Sequence, residues 1–182
     1  MQPPTRAEVT NVMGDRLASM DRSNLLRPMT DDDVDAVLDL NRRHVELLSP
    51  MDAARLHQLR GWASRADVIV CDGQVAGFVL VFAPGSDYDS ENYRWFSQEY
   101  GDAFDYLDRI VIDGTFRRRG LASAVYDAVE ASAVPRGRLV LEVNIDPPNE
   151  PSLAFHRARG YREVHQRGAS GHVVSLMERP AR

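Results

Sequence analysis

The sequence predicts a single α/β domain built on one mixed β-sheet with helices at its ends and faces. Three observations point there. A chain of 182 residues, 43% hydrophobic and 27% charged, has the length and composition of one globular domain with a sizeable core. Its apolar residues switch between strand and helix periods in the order βααββ, loop, βαβαββ, which mixes hairpins with helix-linked strands. No segment repeats another.

Residues 1–23, "MQPPTRAEVTNVMGDRLASMDRS", hold few large apolar side chains and no sustained period. They are expected to form a poorly ordered or helical extension ahead of a domain spanning 24–182. A short strand over 25–27 comes first. In "TDDDVDAVLDLNRRHVELL", Thr30 is placed to cap a helix with acids in its first turn, and Val34, Val37, Leu38, Asn41, Val45 and Leu48 follow at helical spacing. "SPMDAARLHQLRGWA" offers a second helix, with Leu56, Leu59 and Trp62 inward. "DVIVCDGQVAGFVLVFAPG" is a hairpin turning at Asp72–Gly73. Residues 84–104 read as a long loop rich in acids and aromatics. "FDYLDRIVI" is a strand, 119–133 a helix and "GRLVLEVNI" the next strand. "PNEPSLAFHRARG" is a short helix capped by Asn149 and stopped at Gly160, and "YREVHQRG" with "HVVSLMER" closes the domain as a hairpin.

Composition narrows the chemistry. A formal charge of −5 gives no general attraction to nucleic acid or to anionic membranes, so neither is an expected partner and any anion site must be local. All 22 Lys+Arg residues are arginine, which excludes a Walker A lysine and a lysine Schiff base. The single cysteine, Cys71, sits in an apolar strand and leaves no cysteine-rich zinc site; no metal is expected. No apolar run approaches a membrane span and the N-terminus lacks signal-peptide order, so a cytoplasmic location is expected.

"FRRRGLASAVYDAVE" poses an electrostatic conflict. Arg117, Arg118 and Arg119 precede a helix start, where unsatisfied amides already carry partial positive charge. An anion at that point reverses the sign, because a strand, a glycine turn and a helix N-terminus together aim several free N–H groups at it. The alternative is a solvated arginine-rich turn.

"RIVIDGTFRRRGLASAVYDAVE" resembles motif A of the GNAT superfamily of N-acetyltransferases, with Arg117, Gly120 and Ala122 at the matching positions. "NIDPPNEPSLAFHRARGYREV" resembles motif B, matched by Asn149, Ser152, Phe155, Gly160 and Tyr161. Together with "YDSENYRWF" the motifs look like a bacterial group known mainly as predicted acetyltransferases. The resemblance implies a GNAT-like mixed, mostly antiparallel sheet flanked by helices, and acetyl-coenzyme A (acetyl-CoA) as cosubstrate. Its pyrophosphate would lie on Arg117, Arg118, Arg119, Gly120, Leu121 and Ala122. The strands over 106–112 and 138–144 would splay around the pantetheine arm, with Ile110, Val111 and Ile112 offering backbone groups and Asn144, Asn149, Ser152, Phe155 and His156 lining the opposite side.

Acetyl transfer to an amine needs a base and a proton for the leaving thiolate. Asp108 is a carboxylate in an apolar strand, and strand alternation points Arg109 to the other face, so Asp108 is a candidate base with a structural hydrogen-bonding role as its alternative. Glu142, a further catalytic candidate, and Asn144 share a face of the next strand and would complete a polar wall beside the acetyl group; the alternative is that either satisfies backbone or surface groups. His156 stands where many members of the family carry a tyrosine, which implies a proton donor near the sulfur; the alternative is a histidine that packs or caps. Asp89 and Glu91, interleaved with Tyr88, Tyr93 and Trp95, suit a cationic amine; the alternative is a lid packed on the domain or a homodimer contact whose charges are solvated.

The expected function is direct acetyl transfer from acetyl-CoA to a cationic small-molecule amine. A non-catalytic coenzyme A (CoA) binding or sensing module is the alternative. A dinucleotide-binding domain is disfavoured by the lone glycine at the turn.

Overall fold

The computed structural model describes residues 25–44 and 48–181; the N-terminal extension expected over 1–23 and the helical position of Val45 lie outside the described residues. Seven strands form one sheet: β1 (Leu26–Pro28), β2 (Arg65–Cys71), β3 (Gln74–Phe82), β4 (Asp105–Ile112), β5 (Arg138–Asp146), β6 (Arg162–Ala169) and β7 (His172–Pro180). Their order is β1-β2-β3-β4-β5-β7-β6, antiparallel except for β4 against β5. Helices α1 (Val34–Arg43), α2 (Ala53–Trp62), α3 (Glu91–Tyr100), α4 (Leu121–Ser132) and α5 (Glu150–Ala158) flank it.

The sheet buries two separate apolar layers. Leu121, Val125 and Val129 of α4 and Leu153 of α5 pack with Val79, Val81, Leu107, Leu139 and Leu141 on one face. Val37 and Leu40 of α1, Leu56 and Leu59 of α2 and Phe96 of α3 pack with Phe78, Leu80, Tyr106 and Val140 on the other. The alternation of strand side chains thus supplies both cores from the same strands.

Residues 84–104 are not the loop expected from their composition. Ser90 caps α3 by accepting a hydrogen bond from the Tyr93 amide at 3.2 Å, and Tyr93 and Phe96, three residues apart, are buried. Trp95 and Tyr100, only half-buried beside them, blur that period in the sequence.

Two departures from regular pairing shape the site. Strands β4 and β5 pair only at Asp105 with Leu139 and Tyr106 with Val140, although both run on for several residues; beyond that point they splay. In β4, Leu107 lies opposite Val81 and Arg109 opposite Leu80, so Asp108 is an extra residue, a β-bulge. Gly77 lets β3 approach closely below it: a Cβ there would run into the Val111 carbonyl oxygen.

Candidate active site

The splay opens a cavity of about 1220 Å³ that runs from the turn before α4, between β4 and β5, to the start of α3. At one end Arg118 (φ 62°) and Gly120 (φ 74°) both take left-handed backbone, natural for Gly120 and costly for an arginine. The first α4 amide held within this turn of helix is that of Ala124, bonded to the Gly120 carbonyl at 3.1 Å. The amides of Leu121, Ala122 and Ser123 ahead of it are the free N–H groups of a helix start. All three residues line the cavity, forming a cradle suited to a diphosphate.

The turn is held from behind. Asp113 accepts from the Thr115 amide (2.8 Å), the Thr115 hydroxyl (2.7 Å) and Arg43 of α1 (2.6 Å), and these bonds hold its carboxyl down at about 2. Arg117 and Arg118 line the cavity with Gly120. Arg119, expected in the cradle, is corrected: it pairs with Asp72 at 2.7 Å in the β2–β3 turn and covers the Phe116 ring, because the left-handed residue before it turns the chain away.

Ile110, Val111, Ile112, Asn144, Asn149, Ser152, Phe155 and His156 also line the cavity. The Asn149 side chain caps α5 through the Ser152 amide at 3.2 Å. His156 is buried, 5% exposed, and fully engaged: Nδ1 lies 2.8 Å from the Ser152 carbonyl oxygen and Nε2 lies 2.6 Å from the Tyr126 hydroxyl. Burial lowers its pKa. Tyr126 itself went unread in the sequence, although it sits four residues after Ala122 and hence on the same helix face.

At the middle of the splay stand two carboxylates in different situations. The bulge brings Asp108 and Arg109 to the same face, against the alternation expected from the sequence, and Arg109 Nε donates to Asp108 Oδ2 at 2.8 Å. The Tyr88 hydroxyl donates to Oδ1. Both oxygens of Asp108 are therefore occupied, which fits the structural role better than the base. Glu142 differs: Tyr106 (2.5 Å) and Asn92 (2.7 Å) both donate to Oε2, and Oε1 has no partner among the described residues. Burial raises the Glu142 pKa, with Asp108 nearby adding to the rise, while the two hydrogen bonds and Arg109 oppose it.

On the α3 side, Tyr88, Asp89 and Glu91 line the cavity, but neither acid is free. Arg55 of α2 forks onto Asp89 (2.5 and 3.0 Å), and Arg167 of β6 lies 3.5 Å from Glu91. Tyr93 and Trp95 are corrected. Tyr93 is buried with its hydroxyl on the Ala83 carbonyl, and Trp95 stacks on His165 at 4.9 Å, both on faces of α3 turned from the cavity. Among the described residues no group of three or more His, Cys, Asp or Glu could hold a metal, and no helix is long and apolar enough to cross a membrane.

The sequence matches the model of the acetyltransferase (GNAT) family over residues 34–161. No curated protein matches it. Among solved structures, Ard1 from Thermoplasma volcanium superposes with a TM-score of 0.67 at 18% identity, over 86% of this chain and 96% of that one. The ribosomal-protein-S18-alanine N-acetyltransferase from Escherichia coli gives 0.64 at 16%, over 86% and 92%. A protein described as a candidate phosphinothricin N-acetyltransferase gives 0.64 at 17%, over 86% and 98%. At these identities the likeness is one of fold.

Proposed function

Because the chain belongs to the acetyltransferase (GNAT) family, and is thereby an acyltransferase, we propose that it transfers acetyl directly from acetyl-CoA to a small cationic amine, with Glu142 as the base. The observation that carries this reading is Oε1 of Glu142, without a partner among the described residues, at the splay beside a cradle of free helix-start amides.

The residues present fit acetyl-CoA. The amides of Leu121, Ala122 and Ser123, with Arg117 and Arg118, would hold the diphosphate through charge-assisted bonds, and the separated edges of β4 and β5 leave backbone groups for an amide-bearing arm. An amine reaches the site as ammonium. Glu142 Oε1 attracts it and takes its proton, which leaves the nitrogen lone pair free to attack the thioester carbonyl. The C–N bond forms as the C–S bond breaks, sulfur leaves with the bonding pair, and the second amine proton balances the thiolate. Tyr106 and Asn92 hold the carboxylate still, and their hydrogen bonds favour its ionised form against the upward push of burial.

A cationic acceptor is supported by the same carboxylate, since among the described residues Glu142 is the acid at the splay without an arginine paired to it, whereas Asp89, Glu91 and Asp108 each have one. The related folds carry names that speak of both protein and small-molecule acceptors. Thiol release from acetyl-CoA, screened across amines of differing size and charge, tests the proposal: diamines and other small cations should be turned over. Release with neutral amines or peptide N-termini alone would contradict it.

A further inference from the structure

His156 cannot present a proton to the cavity in the arrangement found. The Ser152 carbonyl oxygen at 2.8 Å only accepts, so Nδ1 carries the ring hydrogen. Nε2 is then a lone pair, and the Tyr126 hydroxyl 2.6 Å away must donate to it. The phenolic hydrogen is thereby committed, and no other partner of that hydroxyl occurs among the described residues. Its oxygen keeps its acceptor capacity, and Tyr126 lines the cavity together with Ala122, Ser123, Ser152 and Phe155.

We propose that the Tyr126 oxygen is a hydrogen-bond acceptor for the arm of the bound cofactor, and that His156 is a positioning residue that fixes the hydroxyl in that sense. The inference rests on the acetyl-CoA reading above. The group accepted is a donor on the arm, either an amide N–H or the S–H of product CoA. Burial keeps both partners neutral, raising Tyr126 and lowering His156. The charged neighbours, Glu130 of α4 and Arg159 at the end of α5, oppose each other in their effect on both groups. The Tyr161 and Phe155 rings pack edge-on against the imidazole at 5.3 and 5.5 Å and hold its plane toward the hydroxyl.

Calorimetric titration of the full chain with CoA and with desulfo-CoA, which lacks the thiol, tests this. Tyr126→Phe keeps the ring and removes only the hydroxyl, so packing survives while affinity should fall about threefold to tenfold, the range of one ordinary hydrogen bond. A fall for both ligands assigns an amide donor, and a fall for CoA alone assigns the thiol. His156→Leu should weaken binding similarly, since the freed hydroxyl can point its hydrogen into the cavity. His156→Gln, which supplies an acceptor oxygen, should recover most of the loss. In nitrogen-15 spectra of the wild type, His156 should be protonated at Nδ1 and bare at Nε2 near neutral pH. Unchanged affinities in a folded Tyr126→Phe protein, or a protonated Nε2, would overturn the inference. Absence of CoA binding by the wild type would instead remove the cofactor reading beneath it.

Discussion

Arg109 Nε lies 2.8 Å from Asp108 Oδ2, although the two are consecutive in β4 and a regular strand would aim them at opposite faces. The bulge at Asp108 makes the contact, and Arg109 extends it by donating to Asn41 of α1 at 2.9 Å. Asn41 in turn donates to the Ser49 carbonyl at 3.2 Å. One guanidinium thus ties the strand at the centre of the site to the helix and loop on its acceptor side.

Removing that guanidinium should leave a nearly buried carboxylate uncompensated, since both side chains are 8% exposed. Arg109→Met is expected to cost about 3 kcal/mol of unfolding free energy, and Asp108→Asn, which leaves the equally buried guanidinium without its counter-charge, a comparable amount. Urea denaturation measures both. Equal small effects would mean that the pair carries little of the local structure.

Helix order was legible in the sequence because α1, α2 and α4 bury one face and so carry a clean period: Val34, Val37 and Leu38 in α1, Leu56 and Leu59 in α2, Leu121, Val125 and Val129 in α4, while the central strands, buried on both faces, read as short apolar runs between turn residues. The cradle was legible through Gly120 and the electrostatic conflict before it. What was not legible depends on geometry that side-chain identity does not encode. The bulge inverts the facing of Arg109 without any glycine or proline to mark it. Helix α3 blurs its period with Trp95 and Tyr100, aromatics that are only half-buried. Arg55 and Arg167, which neutralise Asp89 and Glu91, come from segments far away in the chain. Asn92 and Tyr106 gain significance only when α3 and β4 bring them to Glu142.

Asp105 offers a stability test away from the chemistry. It is 8% exposed, and burial raises its pKa to about 6, opposed by Arg136. A folded-state pKa above the unfolded value of about 3.9 means that the fold favours the protonated acid. The contribution is fully present below about pH 3.9 and is lost as pH rises through 6. Asp105→Asn should therefore stabilise the protein by about 2 kcal/mol at pH 7.5 and give no gain near pH 3.5. A gain that is the same at both pH values would show that ionisation is not its source.

The hydrogen bond from Asn92 lowers the pKa of Glu142 against the upward push of burial. Asn92→Ala should let it rise further, so the acid limb of kcat should move to higher pH. Activity would be retained above that limb. A pH–rate profile with a verified amine reads this directly, and a limb that stays in place would separate Asn92 from the ionising group.

The central claim is that Glu142 removes the proton from the acceptor amine. Glu142→Gln keeps the size and the hydrogen bond from Asn92 while removing the base. With saturating amine, its kcat should fall about 10²-fold or more, the acid limb should disappear, and the dissociation constant for acetyl-CoA should stay unchanged. Wild-type turnover by Glu142→Gln across the whole pH profile would contradict the account.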